Sequence, residues 1–478
     1  RGAGGSGRVS GEGGQPGTAG DRACSRVLLL ALLVACAAVV VWTAGGPLLA
    51  VTGLDGETRY SDFPHFYNAG LATRLGDNIY ASGAEQAALN EARPGGPQYK
   101  DRGGGYIYPP LLAPGFAVLS YLPIGAAAAL WVVLSAGLLV GMVWLLGRSA
   151  LARFGCPVDA CSIAFGAALP LVLMADKIKK TLNFVQTEMV VLFPIAAAVV
   201  LLPTRPFVAG VAVAFAAHIK YTALIFVPLL LLRARWRALG GFGAGAVGFA
   251  LLPALVYGWE RNLEYLGTAF GGLARMVGLD PAGERAAPIH PITWEFSVSV
   301  PSAAARLGEA TGAGTGLFVP VGGLVLAGGV GLVWWMYRAR GVAFWWRSSP
   351  RAGASSDDHD RERRLLMVEW CVLVVAAVCF SPQSTTRHFV ALLLPMGVAA
   401  ALIVRQRVGL EPGIGVLLAG VGVVVAGLYL PPGGAGMDGM LDAWRWGGGA
   451  SWAALVFAAA LLWTGLGAAK PGVERGLV

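Results

Sequence analysis

Residues 26–51 read RVLLLALLVACAAVVVWTAGGPLLAV, one arginine followed by an apolar run without a charge. The run is longer than the roughly 18–20 residues with which a helix crosses a bilayer. Leu33-Val34-Ala35-Cys36 imitates a lipoprotein cleavage site, but the apolar stretch continues to Val51, beyond the length of a signal-peptide core. An uncleaved first membrane helix is therefore expected. Comparable runs recur near 109–122, 126–147, 159–175, 186–202, 207–231, 238–258, 315–337, 365–380, 389–404, 411–430 and 450–468. Several are punctuated by proline, at Pro109-Pro110, Pro206, Glu411-Pro412 and Lys470-Pro471. The pattern predicts an all-α polytopic membrane protein with about twelve transmembrane helices. The 109–122 stretch is short enough to be re-entrant instead.

Composition agrees. In 478 residues, 56% are hydrophobic and 13% charged, and mean hydropathy is +0.64, too little charge to clothe a soluble protein. The formal charge of +9 is read as basic loops on the cytoplasmic side of a membrane, not as a nucleic-acid surface. With twelve passes and both termini inside, most of the 36 Lys and Arg residues face the cytoplasm. They include Arg22, Arg26, Lys177, Lys179, Lys180, Arg233, Arg235, Arg237 and the basic loop at 338–364. That loop, with Trp345 and Trp346, suits anionic lipid. If 109–122 did not cross, the loop would move outside, against the charge rule.

The remaining organisation follows from this frame. Residues 1–21 are rich in Gly, Ser and Arg and are expected to be disordered, and the chain opens on Arg1 rather than Met, as a truncated sequence would. A single membrane domain is expected over 22–468, with external loops at 52–108 and 259–314 and a cytoplasmic tail at 469–478. The first loop holds seven acidic and five basic residues. Two long loops on one face place the chemistry there. Gly243-Ala244-Gly245-Ala246-Val247-Gly248 fits a dinucleotide-binding pattern but lies inside an apolar run, where small residues serve helix packing. Six cysteines with no C-x-x-C exclude a disulfide framework, and no cluster of His, Cys and carboxylates has metal-ligand spacing. No cofactor is expected.

Polar residues with chemistry stand out against this background. Tyr60-Ser61-Asp62-Phe63-Pro64-His65-Phe66-Tyr67-Asn68-Ala69-Gly70 lies just beyond the first span. From Phe63 the apolar residues fall at helical spacing, which predicts a short amphipathic helix along the membrane surface. Asp62 would then be an N-cap, or a carboxylate left for catalysis. Further on come Leu75-Gly76-Asp77-Asn78-Ile79-Tyr80 and Tyr106-Ile107-Tyr108-Pro109-Pro110-Leu111. Ala217-His218-Ile219-Lys220-Tyr221 and Ser381-Pro382-Gln383-Ser384-Thr385-Thr386-Arg387-His388 complete the series. Lys220 inside a span faces a cavity or partner, or snorkels. Arg387 alone fits an interfacial anchor and His388 a helix cap. His290, in Ala287-Pro288-Ile289-His290-Pro291-Ile292-Thr293-Trp294, is a lid or acceptor contact or part of a Pro-rich turn.

In order and spacing these motifs resemble glycosyltransferase family 87 of the GT-C superfamily, the polyprenyl-phosphate-mannose-dependent mannosyltransferases, over roughly residues 27–405. Leu182-Asn183-Phe184-Val185-Gln186 matches the family's Gly-Gln-x-Asn only loosely, and Thr385-Thr386-Arg387 stands where members often have an aromatic residue. The resemblance implies an inverting transfer, with Asp62 as general base. The donor would be a polyprenyl-phosphate sugar, mannose in this family, and the acceptor a glycan or glycolipid hydroxyl outside the membrane. Arg387, His388, Lys220, His65, Tyr108, Gln383 and His290 are the implied substrate contacts. Transfer to a hydroxyl needs a base for its proton and cations for the phosphate charge that develops. A transporter or lipid flippase of the cell envelope is the rival expectation, since twelve passes with both ends inside also suit that class.

Overall fold

The computed structural model describes residues 19–53, 62–100, 105–276, 290–345, 356–406, 413–429 and 438–469. The expected disorder of 1–21 falls mostly outside these, as do most of the tail and the centre of the basic loop; Ala19 already begins a helix. Among the described residues every regular element is helical. Six helices are long and apolar enough to cross a bilayer, or seven if one bent pair counts as a single span.

The first helix, α1 (Ala19–Thr52), leads to a cap built from α2 (Phe63–Leu75), α3 (Gly83–Glu91), the turn Pro110–Leu112 and α4 (Ala113–Leu119). The surface helix expected after Asp62 is instead buried over most of its length: Phe63, Phe66, Tyr67, Ala69 and Leu71 are all in the core, while His65 and Thr73–Leu75 are partly exposed. The reason is α4. Gly70 lies so close to Phe116 that a Cβ would fall 2.3 Å from the Phe116 carbonyl carbon. Gly76, at φ 77°, then ends α2 in the left-handed region that glycine tolerates. Asp77 takes the Arg93 guanidinium at 2.5 and 2.8 Å and the Tyr99 hydroxyl at 2.6 Å, closing the cap.

Next come α5 (Ile124–Arg153), α6 (Ala160–Leu173), α7 (Ala175–Asn183) and α8 (Glu188–Leu201). Neighbours fix their directions. Gly125 abuts the Val51 carbonyl at the cap end, whereas Arg405 donates to Phe154 O at 3.2 Å at the opposite end. The α6 helix returns beside α1, with Cys36 Sγ 3.9 Å from Ala164 O, and bends by 64° into α7. Lys179 then lies 4.2 Å over the Trp42 ring. Lys177, Lys179 and Lys180 therefore sit toward the cap end, not at the basic end where charge counting placed them. The α8 helix runs away again, and Arg153 donates to Val199 O and Val200 O at 2.9 and 3.0 Å.

Two stretches depart from single passes. Pro110–Leu119 spans about 15 Å at 1.5 Å per residue, half the roughly 30 Å hydrocarbon core. The expected pass 207–231 splits into α9 (Pro206–Ala217), a break at His218–Lys220, the turn Tyr221–Ile225 and α10 (Phe226–Leu232). The chain folds back at the break. Lys220 meets Glu188 near the cap, while Arg233 returns to the opposite end. The next helix, α11 (Trp236–Leu251), lies parallel to α9: a Cβ on Gly210 would meet Ala238 O at 1.8 Å, and one on Gly245 would meet Ala214 Cβ at 2.9 Å. Gly245 of the glycine-rich run thus lies in a packing seam with α9.

The chain continues through α12 (Ala254–Tyr257), α13 (Trp259–Met276), α14 (Val300–Ala310) and α15 (Phe318–Ala339), then α16 (Ser356–Phe380). The turn Thr386–Leu392 leads into α17 (Leu393–Arg405), followed by α18 (Ile414–Tyr429), α19 (Asp438–Trp446) and α20 (Gly449–Ala468). Arg233 pairs with Glu369 of α16 at 2.5 Å and donates to Phe344 O at 2.7 Å, and Arg235 pairs with Glu362. Arg364 and Arg405 both reach Ala468 O. The two departures offset each other in direction, so the described part of the basic stretch stays at the arginine-rich end.

Candidate active site

Between the cap and the core lies a cavity of about 980 Å³. Its polar mouth is assembled by four separate stretches of chain that meet because of the bends just described. Asp62 stands at the start of α2; it occupies the N-cap position, but its carboxylate makes no capping bond. Phe184-Val185-Gln186 links α7 to α8, and Val185 has φ 51°, the left-handed region that a β-branched residue rarely enters. That kink sets Gln186 and Glu188 in the cavity wall. Lys220 comes from the break of the hairpin, extended at φ −137° and ψ 122°. Arg387 and His388 come from the turn after α16.

The contacts are specific. Asp62 Oδ2 lies 3.1 Å from Arg387 Nη2 and accepts a hydrogen bond from Gln186 Nε2. Gln186 Oε1 accepts the Tyr108 hydroxyl at 3.4 Å, and its carbonyl accepts Trp131 Nε1 at 3.0 Å. Arg387 lies 4.4 Å over the Phe184 ring. Deeper in, Lys220 Nζ donates to Glu188 Oε1, which also lies 3.4 Å from His388 Nε2. Two carboxylates thus each hold a cationic partner around one cavity. Burial, reinforced by the negative charge of Glu188, pushes the Tyr108 phenol up, so it stays a hydrogen-bond donor at neutral pH.

All eight residues singled out in the sequence line this cavity: Asp62, His65, Tyr108, Lys220, His290, Gln383, Arg387 and His388. His65 lines it from the first turn of α2, and the other seven divide into two groups. Asp62, Tyr108, Lys220, Arg387 and His388 belong to the linked polar network. His290 and Gln383 form a separate wall, where Gln383 Nε2 donates to His290 O and the His290 ring stacks on Trp294 at 4.2 Å. The cap reading of His388 is also correct in part, for its Nδ1 accepts the Thr385 backbone N–H at 3.0 Å. Glu188 was missed, and Gln186 had been noted only as part of a loose motif. The signal for both was the polar triplet Gln186-Thr187-Glu188 ahead of an apolar run, which reads equally well as an ordinary helix start.

Below the mouth the walls are apolar, with Ile195 of α8, Phe226 of α10 and Val374 and Ala377 of α16. A helical membrane protein with a charged mouth over an apolar cleft suits chemistry on a ligand that is part polar headgroup and part hydrocarbon. The model of glycosyltransferase family 87 matches residues 106–354, slightly more than half of the chain, which therefore belongs to that family and is a membrane glycosyltransferase. The match takes in Tyr108, Gln186, Glu188, Lys220 and His290, while Asp62, Gln383, Arg387 and His388 lie beyond it. No curated protein and no solved structure matches.

Proposed function

We propose that the protein transfers a sugar, mannose by family resemblance, from a polyprenyl phosphate to a hydroxyl of a glycan or glycolipid. The observation that carries this reading is the Asp62–Arg387 contact at 3.1 Å, at the polar mouth of a cavity whose deeper walls are apolar. The hydrocarbon chain would lie along Ile195, Phe226 and Val374, and the phosphate would meet Arg387 and Lys220. The acceptor oxygen bonds to the anomeric carbon as its proton passes to Asp62. The bond from that carbon to the phosphate oxygen breaks, and its electron pair leaves on the lipid phosphate. One base opposite the leaving group gives inversion. Gln186 would orient the Asp62 carboxylate, and His290 with Gln383 would contact the acceptor.

We read the cap as extracytoplasmic and the arginine-rich end as cytoplasmic, in a cell membrane with both termini inside. In place of twelve passes we count ten crossings from the direction each helix runs between the two ends, α1, α5, α6, α8, α11, α15, α16, α17, α18 and α20, with Pro206–Leu232 as a re-entrant pair. The test is incubation of purified protein in vesicles with radiolabelled polyprenyl-phosphate mannose and crude membrane lipids. Label in a new lipid or glycan supports transfer. Label that crosses the bilayer chemically unchanged supports the transporter reading, and failure to transfer from any polyprenyl-phosphate sugar overturns the proposal.

A further inference from the structure

Glu188 has no part in the transfer just described, yet it is the most enclosed charged group of the mouth, 4% exposed in the first turn of α8. Its Oε1 accepts from Lys220 Nζ and lies 3.4 Å from His388 Nε2, and its Oε2 is buried with no hydrogen-bond partner. A buried carboxylate is tolerated only when charge and hydrogen bonds compensate it, so Lys220 is essential to it. The dependence is mutual. A lysine in an apolar wall either loses its proton or turns its head to water unless an anion holds it.

His388 is engaged at both nitrogens. Because Nδ1 accepts the Thr385 N–H, the neutral ring carries its proton on Nε2, which faces Glu188. Such an imidazole has no lone pair to take a proton, and its one N–H lies 3.4 Å from Glu188 Oε1. The charged groups around it are Glu188 from α8, Lys220 from the hairpin tip and Arg387 beside it in the chain, with Asp62 behind Arg387. Lys220 is different: an ammonium has three donors, and Glu188 takes one.

We propose that Glu188 is a positioning residue that aims Lys220 at the phosphate of the lipid-linked donor, with His388 bracing Glu188 instead of touching the donor. This rests on the transfer reading above and removes His388 from the donor contacts that the family resemblance implies. No bond is made or broken at Glu188.

The test is initial-rate kinetics of the purified full chain in lipid nanodiscs, with polyprenyl-phosphate mannose varied between about pH 5.5 and 8.5. Glu188→Gln is expected to raise donor KM about tenfold or more, with a smaller change in kcat. His388→Gln keeps an N–H directed at Glu188, so it is expected to raise donor KM less than Glu188→Gln does, with an unchanged pH profile. Since Glu188→Gln leaves a buried lysine unpaired and can fail to fold, Glu188→Gln/Lys220→Met removes both charges as the companion variant. Its donor KM should equal that of Lys220→Met alone. Wild-type donor KM in Glu188→Gln or in the double variant overturns the inference. So does loss of turnover, or a shifted pH profile, in folded His388→Gln. An inactive wild type rejects the transfer reading itself, whereas an active wild type with unaffected variants rejects only the role of Glu188.

Discussion

Asp62 Oδ2 sits 3.1 Å from Arg387 Nη2, although one residue opens the cap and the other follows α16. The pair holds a carboxylate and a guanidinium together on one side of the cavity. Asp62→Asn removes the proposed base but keeps shape and hydrogen-bonding capacity. Turnover should fall by about 10²–10⁴-fold, the usual range for a general base. Donor binding should be kept or improved, since Arg387 loses its competing anion. Single-turnover transfer together with donor binding by the same preparation checks both, and wild-type turnover would remove Asp62 from the chemistry.

Arg387 also lies over the Phe184 ring, which fixes the plane of its guanidinium. A lysine keeps the charge but neither the fork nor the stacking. Arg387→Lys should therefore raise donor KM about tenfold, and Phe184→Leu should produce a smaller change in the same direction. If Arg387→Lys left KM unchanged while kcat fell, the guanidinium would be acting only in the transition state.

Much of this was legible in the chain, and the rest was hidden for identifiable reasons. Asp62, Arg387 and His388 stand out because charged residues are rare beside apolar runs. Taken alone they read as an N-cap, an interfacial anchor and a helix cap, and only the family resemblance gives them a chemical role. Glu188 gives no such cue, for an acid at the head of an apolar helix is also what the helix dipole favours. The hairpin was hidden because 207–231 is apolar enough for one pass; only His218-Ile219-Lys220 betrays the break. The surface helix was misread because aromatic spacing marks a buried face without saying how many sides are covered. Phe116 and its neighbours cover most of the rest.

The cap has its own acid sensitivity. The Arg93 guanidinium, helped by the Tyr99 hydroxyl, holds the Asp77 carboxyl below the usual carboxylate range against some opposing burial. A carboxyl with a depressed folded pKa contributes stability that is complete above its unfolded value, about 3.9, and is lost as pH falls through the folded one. Protease resistance of the cap should thus be flat from neutral pH to about 5 and decline below about 4. Asp77→Asn should be less resistant at pH 7 and show a weaker decline. Identical acid profiles for the two proteins would exclude Asp77 as the group responsible.

The re-entrant hairpin makes a prediction about geometry that twelve passes would contradict. Thr204 precedes α9 and Ala234 follows α10, and both belong to the end where Arg153 and Arg233 make their contacts. In a background stripped of native cysteines, Thr204→Cys and Ala234→Cys should react with a membrane-impermeant maleimide from the same side, and Gly76→Cys in the cap from the other. A single pass over 207–231 requires the first two to differ. The seam that holds the hairpin is tested by Gly210→Ala, whose Cβ would collide with Ala238 O. Overpacking of this kind costs about 1–3 kcal/mol. Because α9 carries the break with Lys220, that cost should appear as a lower melting temperature together with weaker donor binding, whereas Gly243→Ala, with open space at its Cβ, should change neither.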